Sequence, residues 1–284
     1  MKIIWVLENI EKNKNFYGKF NILLLLTSTI LWKRNHPEDI CVLYADDMTI
    51  DLLDRLKVLK VWDQIQPLPR QIKVNKSVFW ASAKLQVLAE QTEPVILMDN
   101  DTHVYKPIKS LLDKDTVYVT NFEEGKGYYP TSIDPYVRKL SYKPRWKPKS
   151  VNVSFLQLPD PNFTKRYAEL SIKLMEEFTV LEAPNPQYLI FAEQLLLRHM
   201  MDEEGIKYKP ILKNTWECEQ KIWAEDDNEG IWTVDESEQF IKHYGPSKRD
   251  ILESRKEYSY ESEIKHLLNC TNFLNLDLSS IKNR

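Results

Sequence analysis

Apolar positions along this chain fall into short unbroken runs separated by stretches with helical spacing. Lys2 to Leu7 is apolar and rich in β formers, and polar Glu8 to Asn15 leads from it into the apolar run Phe20 to Trp32, long enough for a helix. Ile40 to Tyr44 predicts a second strand, stopped by Asp46 and Asp47, after which Ile50, Leu52, Leu53, Leu56 and Leu59 return at helical intervals. Val61 to Ile65 predicts a third strand closed by Pro67 and Pro69, and Ser77 to Glu90 a helix with Ala81, Leu85 and Leu88 on one face. Val95 to Met98 is an unbroken apolar run, the pattern of a strand buried on both faces, and it ends in Asp99-Asn100-Asp101. Thr116 to Phe122, Val151 to Leu158 and Phe240 to Tyr244 read as further strands, and Phe163 to Phe178 and Tyr188 to Met201 as helices. Glu123 to Ser150 mixes Tyr, Pro, Lys and Trp without a period.

Strands alternating with helices predict an α/β fold, a mostly parallel central sheet flanked by helices, in which ligands bind beyond the carboxyl ends of the strands. Neither a repeat nor a low-complexity linker interrupts the pattern, so the chain reads as one domain over residues 1–248 with a charged, mainly helical C-terminal appendage over 249–284. Composition adds exclusions. With 39 Lys+Arg against 42 Asp+Glu, the net charge of -3 offers no global field for nucleic acid, which is the less expected partner. Only 6 glycines occur in 284 residues, and none forms a dinucleotide fingerprint, a P-loop or a hydrolase elbow. Cys41, Cys218 and Cys270 are odd in number and far apart, which fits a reduced compartment. The apolar run Ile22 to Trp32 is too short to span a bilayer and is interrupted by Thr27, Ser28 and Thr29. The expectation is a cytoplasmic protein without a transmembrane segment, leaving room for peripheral docking at a membrane.

The chemistry centres on Asp99 and Asp101. Strand alternation puts the two on one face and Asn100 on the other. Two carboxylates can grip a hard cation such as Mn²⁺ or Mg²⁺ and leave positions that a diphosphate fills, which suits a nucleotide-sugar donor. Asp113-Lys114-Asp115 is a second D-x-D, but it lies between elements and reads as a helix end and turn.

Pro94-Val-Ile-Leu-Met-Asp-Asn-Asp-Thr-His-Val-Tyr105 resembles the D-x-D strand of GT-A glycosyltransferases, especially the family-8 retaining enzymes of the glycogenin and lipooligosaccharide galactosyltransferase type. The order of other motifs agrees. Trp80-Ala-Ser-Ala-Lys84 stands where that family carries a basic donor-sugar contact, and Asn152-Val-Ser-Phe-Leu156 matches its asparagine in an apolar strand. Ala192-Glu193-Gln194 and His243-Tyr-Gly245-Pro-Ser-Lys248 then match its acidic-Gln helix start and its late His, Gly and Lys, although Arg249-Asp250 replaces the usual Pro-Trp. The resemblance implies a GT-A fold and transfer of a sugar, with retention, from a UDP-sugar to a glycan, lipid-linked or protein acceptor. It implies Asp99, Asp101 and His243 as metal ligands, and Lys84, Asn100, Asn152, Gly245 and Lys248 as donor-binding residues. Glu193 and Gln194 would stand at the reacting carbon, Glu193 serving as base if the enzyme inverts. The irregular segment Glu123 to Ser150 would be a lid or an acceptor loop.

Plainer readings stand beside these. Lys84, Glu193 and Gln194 suit a solvated helix, His243 a strand end, and a buried Asn152 needs a hydrogen-bond partner from either a sugar or a loop. Trp216, Trp223 and Trp232 read as core packing ahead of acceptor stacking. A haloacid-dehalogenase-type phosphatase would use Asp99 as nucleophile, and a non-catalytic nucleotide- or glycan-binding protein would keep the fold without turnover.

Overall fold

The computed structural model describes residues 1–8, 19–69, 72–76, 78–125, 140–142, 149–179, 187–218, 220–226, 228–237 and 241–243. In chain order the elements are β1 (Lys2–Leu7), α1 (Lys19–Asn35), β2 (Ile40–Ala45), α2 (Asp47–Arg55), β3 (Gln64–Pro67), α3 (Ser82–Ala89), β4 (Val95–Met98), β5 (Thr102–Val104), β6 (Val117–Glu124) and β7 (Lys149–Leu158). There follow α4 (Pro161–Thr179), α5 (Gln187–Ile190), a π-helical turn over Phe191–Leu195, α6 (Leu196–Glu204), β8 (Tyr208–Pro210), β9 (Thr215–Glu217), β10 (Ile222–Ala224), α7 (Val234–Ser237) and β11 (Ile241–His243). The mixed α/β class agrees with the alternation read from the sequence. Both the boundary expected at 248 and the appendage after it lie outside the described residues, as does most of the segment between Glu123 and Ser150.

The chain forms two compact units. The first comprises Met1–Leu68, Met98–Ser110 and Ser237–Arg284. In it β1, β2 and β3 pair in parallel, and β5 pairs antiparallel with β11. A helix that is apolar on every side belongs in a core, and Leu23 to Leu26 and Ile30 to Trp32 of α1 are all buried. Its three central hydroxyls must then find partners. Thr27 and Thr29 donate back along the helix to the carbonyls of Leu23 and Leu25, but Ser28 turns outward. Its Oγ accepts the Trp5 indole N–H from β1 at 2.9 Å and donates to the Thr102 carbonyl of β5 at 2.6 Å. Asn35 Nδ2 donates to the Val104 carbonyl at 2.8 Å, and the His103 ring meets the Leu24 carbonyl at 3.1 Å. Polar atoms of α1 thus brace β5 along its length. α2 starts where the sequence put a strand stop: Asp46 caps it by accepting the Thr49 N–H at 2.8 Å.

At the far end of α1, His36 Nε2 accepts the Ile108 N–H at 3.1 Å, which requires a neutral ring. Burial holds its pKa below the ordinary imidazole value of 6.5, against the opposing pull of Asp39 and Glu38. Since the folded protein binds this proton less readily than the unfolded chain, the contribution is complete above about pH 6.5 and drains as pH falls. Denaturant midpoints should therefore fall between pH 7.5 and 5.5 in the wild type, and less in His36→Gln; equal slopes would show that His36 does not carry the dependence.

The second unit comprises Pro69–Leu97 and Leu111–Glu236. Its strands lie in the order β10-β9-β6-β7-β4, with β8 also on β6. β8 and β9 run parallel to β6, whereas β6–β7 and β9–β10 are antiparallel. Phe79, Tyr188 and Phe191 converge on Phe178 of α4, Tyr188 stacked at 4.4 Å and Phe191 edge-on at 5.8 Å, so the π-helical turn starts from a fixed aromatic anchor. Gly205, at φ 65°, ends α6 in the left-handed conformation that glycine tolerates. Gly230 is needed for another reason. A Cβ there would lie 2.7 Å from the Lys213 backbone nitrogen, where residues 228–232 run close against 211–213. Gly230→Ala should cost about 1–3 kcal/mol in urea unfolding, and a loss under about 0.5 kcal/mol would show that this backbone yields.

Candidate functional site

β4 ends at Met98, and the next three residues form a turn closed by the Thr102 N–H donating to the Asp99 carbonyl at 3.1 Å. This differs from the expectation that strand alternation sets the faces of Asp99, Asn100 and Asp101, because extended geometry stops one residue before Asp99. The turn buries Asp101, 3% exposed, and leaves Asp99 and Asn100 half-buried. Asn100 Oδ1 is buried without a hydrogen-bond partner among the described residues, a costly state for an amide oxygen and one that a ligand donor or cation would relieve.

β11 carries the backbone of His243, the remaining residue expected as a ligand. Its register sets Ile241 against Val104, Lys242 against His103 and His243 against Thr102, so the backbone of His243 meets the residue directly after Asp101. A separation of over 140 residues in sequence becomes one strand spacing in the first unit. Gly245 and Lys248 lie outside the described residues. Among the described residues, side chains of His, Cys, Asp and Glu form no cluster of three fit for a metal, and the His243 side chain is not among those described. The two carboxylates, two residues apart in one turn, are hard oxygen donors of the kind that Mn²⁺ or Mg²⁺ takes, so these residue types fit such an ion.

The second unit holds Lys84, Asn152, Glu193 and Gln194. Lys84 is half-buried near the start of α3. Asn152 sits at an irregularity of the β6–β7 ladder, where the register slips between Val119 and Asn121. Its Nδ2 donates to Glu123 Oε1 at 2.8 Å, and its Oδ1 accepts the Ser154 N–H at 3.0 Å. The partner demanded by an asparagine in an apolar run is thus a carboxylate on the neighbouring strand. Thr120 fills the other side of the irregularity, accepting the Phe155 N–H at 2.8 Å and meeting Ser154 Oγ at 2.7 Å.

Glu193 lies in the π-helical turn, 6% exposed, with Gln194 half-buried beside it. Such turns recur at functional sites because they re-aim side chains that regular helix would stagger. The Tyr167 hydroxyl donates to the Glu193 carbonyl at 3.1 Å. Burial first, and the Glu193 charge second, push the Tyr167 phenol well above its ordinary range, so Tyr167 stays protonated beside the carboxylate.

Of the tryptophans read as core, Trp232 is buried, but Trp223 is 39% exposed and Trp216 half-buried, edge to face at 5.2 Å. The reason is their hairpin, β9–β10, whose outer strand has no further strand beside it among the described residues of the second unit. Asp113-Lys114-Asp115 forms the expected turn, its carboxylates 3.5 and 3.7 Å from Lys207. Sequence reasoning passed over Tyr167, Glu123 and the bracing role of Ser28. Only Ser28 left a signal, as a hydroxyl inside an apolar helix. No described helix is long and apolar enough to cross a membrane.

Comparison with known sequences adds a family. The sequence model of DUF6734, described as a family of unknown function, matches residues 1–258. The chain belongs to the DUF6734 family. In this DUF6734 member the match takes in the Asp99 turn, the π-helical turn and β11 together. No curated protein matches the chain significantly. Among solved structures, the chain is similar to a PaToxG glycosyltransferase at 13% identity, over 71% of this chain and 68% of that one, with a TM-score of 0.41. It is similar to the galactosyltransferase LgtC, solved with donor and acceptor sugar analogues, at 11% identity over 74% and 73% with a TM-score of 0.38. For mouse xyloside xylosyltransferase 1 in its apo form the values are 10%, 75%, 87% and 0.36.

Proposed function

We propose that this protein is a metal-dependent glycosyltransferase that moves a sugar from a nucleotide-diphosphate donor, a UDP-sugar by the family resemblance alone, to a hydroxyl acceptor with retention. The observation that carries the reading is the β5–β11 register: it brings the backbone of His243 beside the Asp99–Asp101 turn, as a shared divalent site requires of residues so distant in sequence. Asp99 and Asp101 would hold Mn²⁺ or Mg²⁺, with His243 as third ligand. The ion, when bound, supplies positive charge to the diphosphate oxygens as the bond to the anomeric carbon breaks.

The chain's own residues do the rest. Asn100 offers its unsatisfied amide oxygen to a donor hydroxyl, Lys84 and Asn152 orient the donor sugar, and Gly245 and Lys248 contact the diphosphate. Glu193 and Gln194 would, by the family resemblance, sit near the reacting carbon, and Tyr167, kept protonated, holds the Glu193 backbone in position. Cytoplasmic residence, with docking at a membrane where the acceptor is lipid-linked, completes the proposal.

The test is release of nucleoside diphosphate from a panel of UDP-, GDP- and ADP-sugars, with Mn²⁺ or Mg²⁺ against EDTA, alongside a phosphomonoester control. Cation-dependent release from one donor, with no phosphate from the monoester, is the expected result. Phosphate release would favour the phosphatase reading, and silence across the donors would leave binding without turnover.

A further inference from the structure

We infer that one face of the second unit's sheet carries a saccharide-binding row from Trp223 to Asn152, serving as the acceptor subsite. Directly paired residues in a ladder share a face. Trp223 pairs with Trp216, Trp216 with Glu123, and Glu123 with Ser150. Two residues along each strand, on the same face, Asn121 pairs with Asn152. The row crosses four strands and so extends about 14 Å, at about 4.8 Å per strand, the reach of a short oligosaccharide.

Its chemistry is graded. At the outer end stand two tryptophan rings, one 39% exposed, and at the inner end a carboxylate and an amide, Glu123 and Asn152, both half-buried and bonded to each other. Beside them Ser150 is fully buried, and its Oγ has no hydrogen-bond partner among the described residues. The alternate positions on the opposite face differ. Thr215, Phe122 and Val151 are buried, and the Arg198 guanidinium of α6 lies 4.9 Å from the Phe122 ring. The opposite face is packed, whereas on the row's own face Trp223 is exposed and Trp216, Glu123 and Asn152 are half-buried, with Ser150 and Asn121 buried among them.

Aromatic rings next to paired carboxylate and amide groups match a pyranose, which offers an apolar C–H face for stacking and hydroxyls around its rim. Asn152 is also the donor-sugar contact proposed above; the row's acceptor role rests on that reading, its binding of saccharide does not.

The test is ¹⁹F NMR on 5-fluorotryptophan protein, with resonances assigned through Trp216→Phe and Trp223→Phe, titrated with lactose, maltotriose, cellotriose and chitotriose, and glycerol as a control without a ring. The expected result is that at least one saccharide moves the Trp216 and Trp223 signals saturably, glycerol does not, and Trp223→Ala binds at least tenfold more weakly with its fold unchanged by circular dichroism. If neither signal moves up to 20 mM saccharide, or Trp223→Ala binds as the wild type does, the site is overturned whatever the donor assay gives. Saccharide binding without donor turnover would remove sugar transfer and leave the row standing.

Discussion

Asp101→Asn is expected to lower cation-dependent donor turnover by about 10³-fold, while the melting temperature stays near that of the wild type. The substitution keeps shape and removes one negative charge from the most buried position of the turn, at 3% exposure. Burial sharpens the effect: a carboxylate shielded from water acts on a nearby cation through a lower dielectric than one on an open loop. The same change at Asp113, exposed and engaged by Lys207, should leave turnover within about twofold, because that pair is solvent-screened. The measurement is diphosphate release over a Mn²⁺ titration. If Asp101→Asn stays within tenfold of wild type at saturating Mn²⁺, the turn does not hold the ion.

The largest stability effect is expected at Ser28. Removing its hydroxyl orphans two buried groups at once, the Trp5 indole N–H and the Thr102 carbonyl. At about 1–3 kcal/mol for each buried group left unsatisfied, Ser28→Ala should cost about 2–4 kcal/mol. Its neighbour provides the control. Thr29 bonds to the Leu25 carbonyl within its own helix, so Thr29→Val preserves shape, strands no outside partner and should cost under about 1 kcal/mol. Urea unfolding of the pair decides the matter; similar losses for both would mean that the bridge from α1 to β1 and β5 contributes nothing beyond packing.

What could be read from the sequence follows from element length. Val95 to Met98 and the run through α1 were legible because unbroken apolar residues have few other uses. β5, β8, β9 and β10 span three residues each, too short for any period to register. α3 starts at Ser82, later than the expected helix, since residues 78–81 lie outside the helix, with the Val78 and Phe79 N–H groups both on the Asn75 carbonyl. At the site, residue types were legible and geometry was not. The D-x-D was placed by strand alternation, yet its residues are held in a turn; Asn152 was known to need a partner, yet nothing in the local pattern identified Glu123. The exposure of Trp223 depends on which strand ends the sheet, a property of tertiary pairing that no local window contains.

The β5–β11 pairing also sets a limit on how the protein can be trimmed. A recombinant fragment stopping at Ser237 would keep every residue of the second unit and all of α1, yet strip β5 of its antiparallel neighbour and turn the backbone beside the Asp99 turn into a bare edge open to self-association. Any shortened form made for crystallisation or binding work should therefore reach beyond His243.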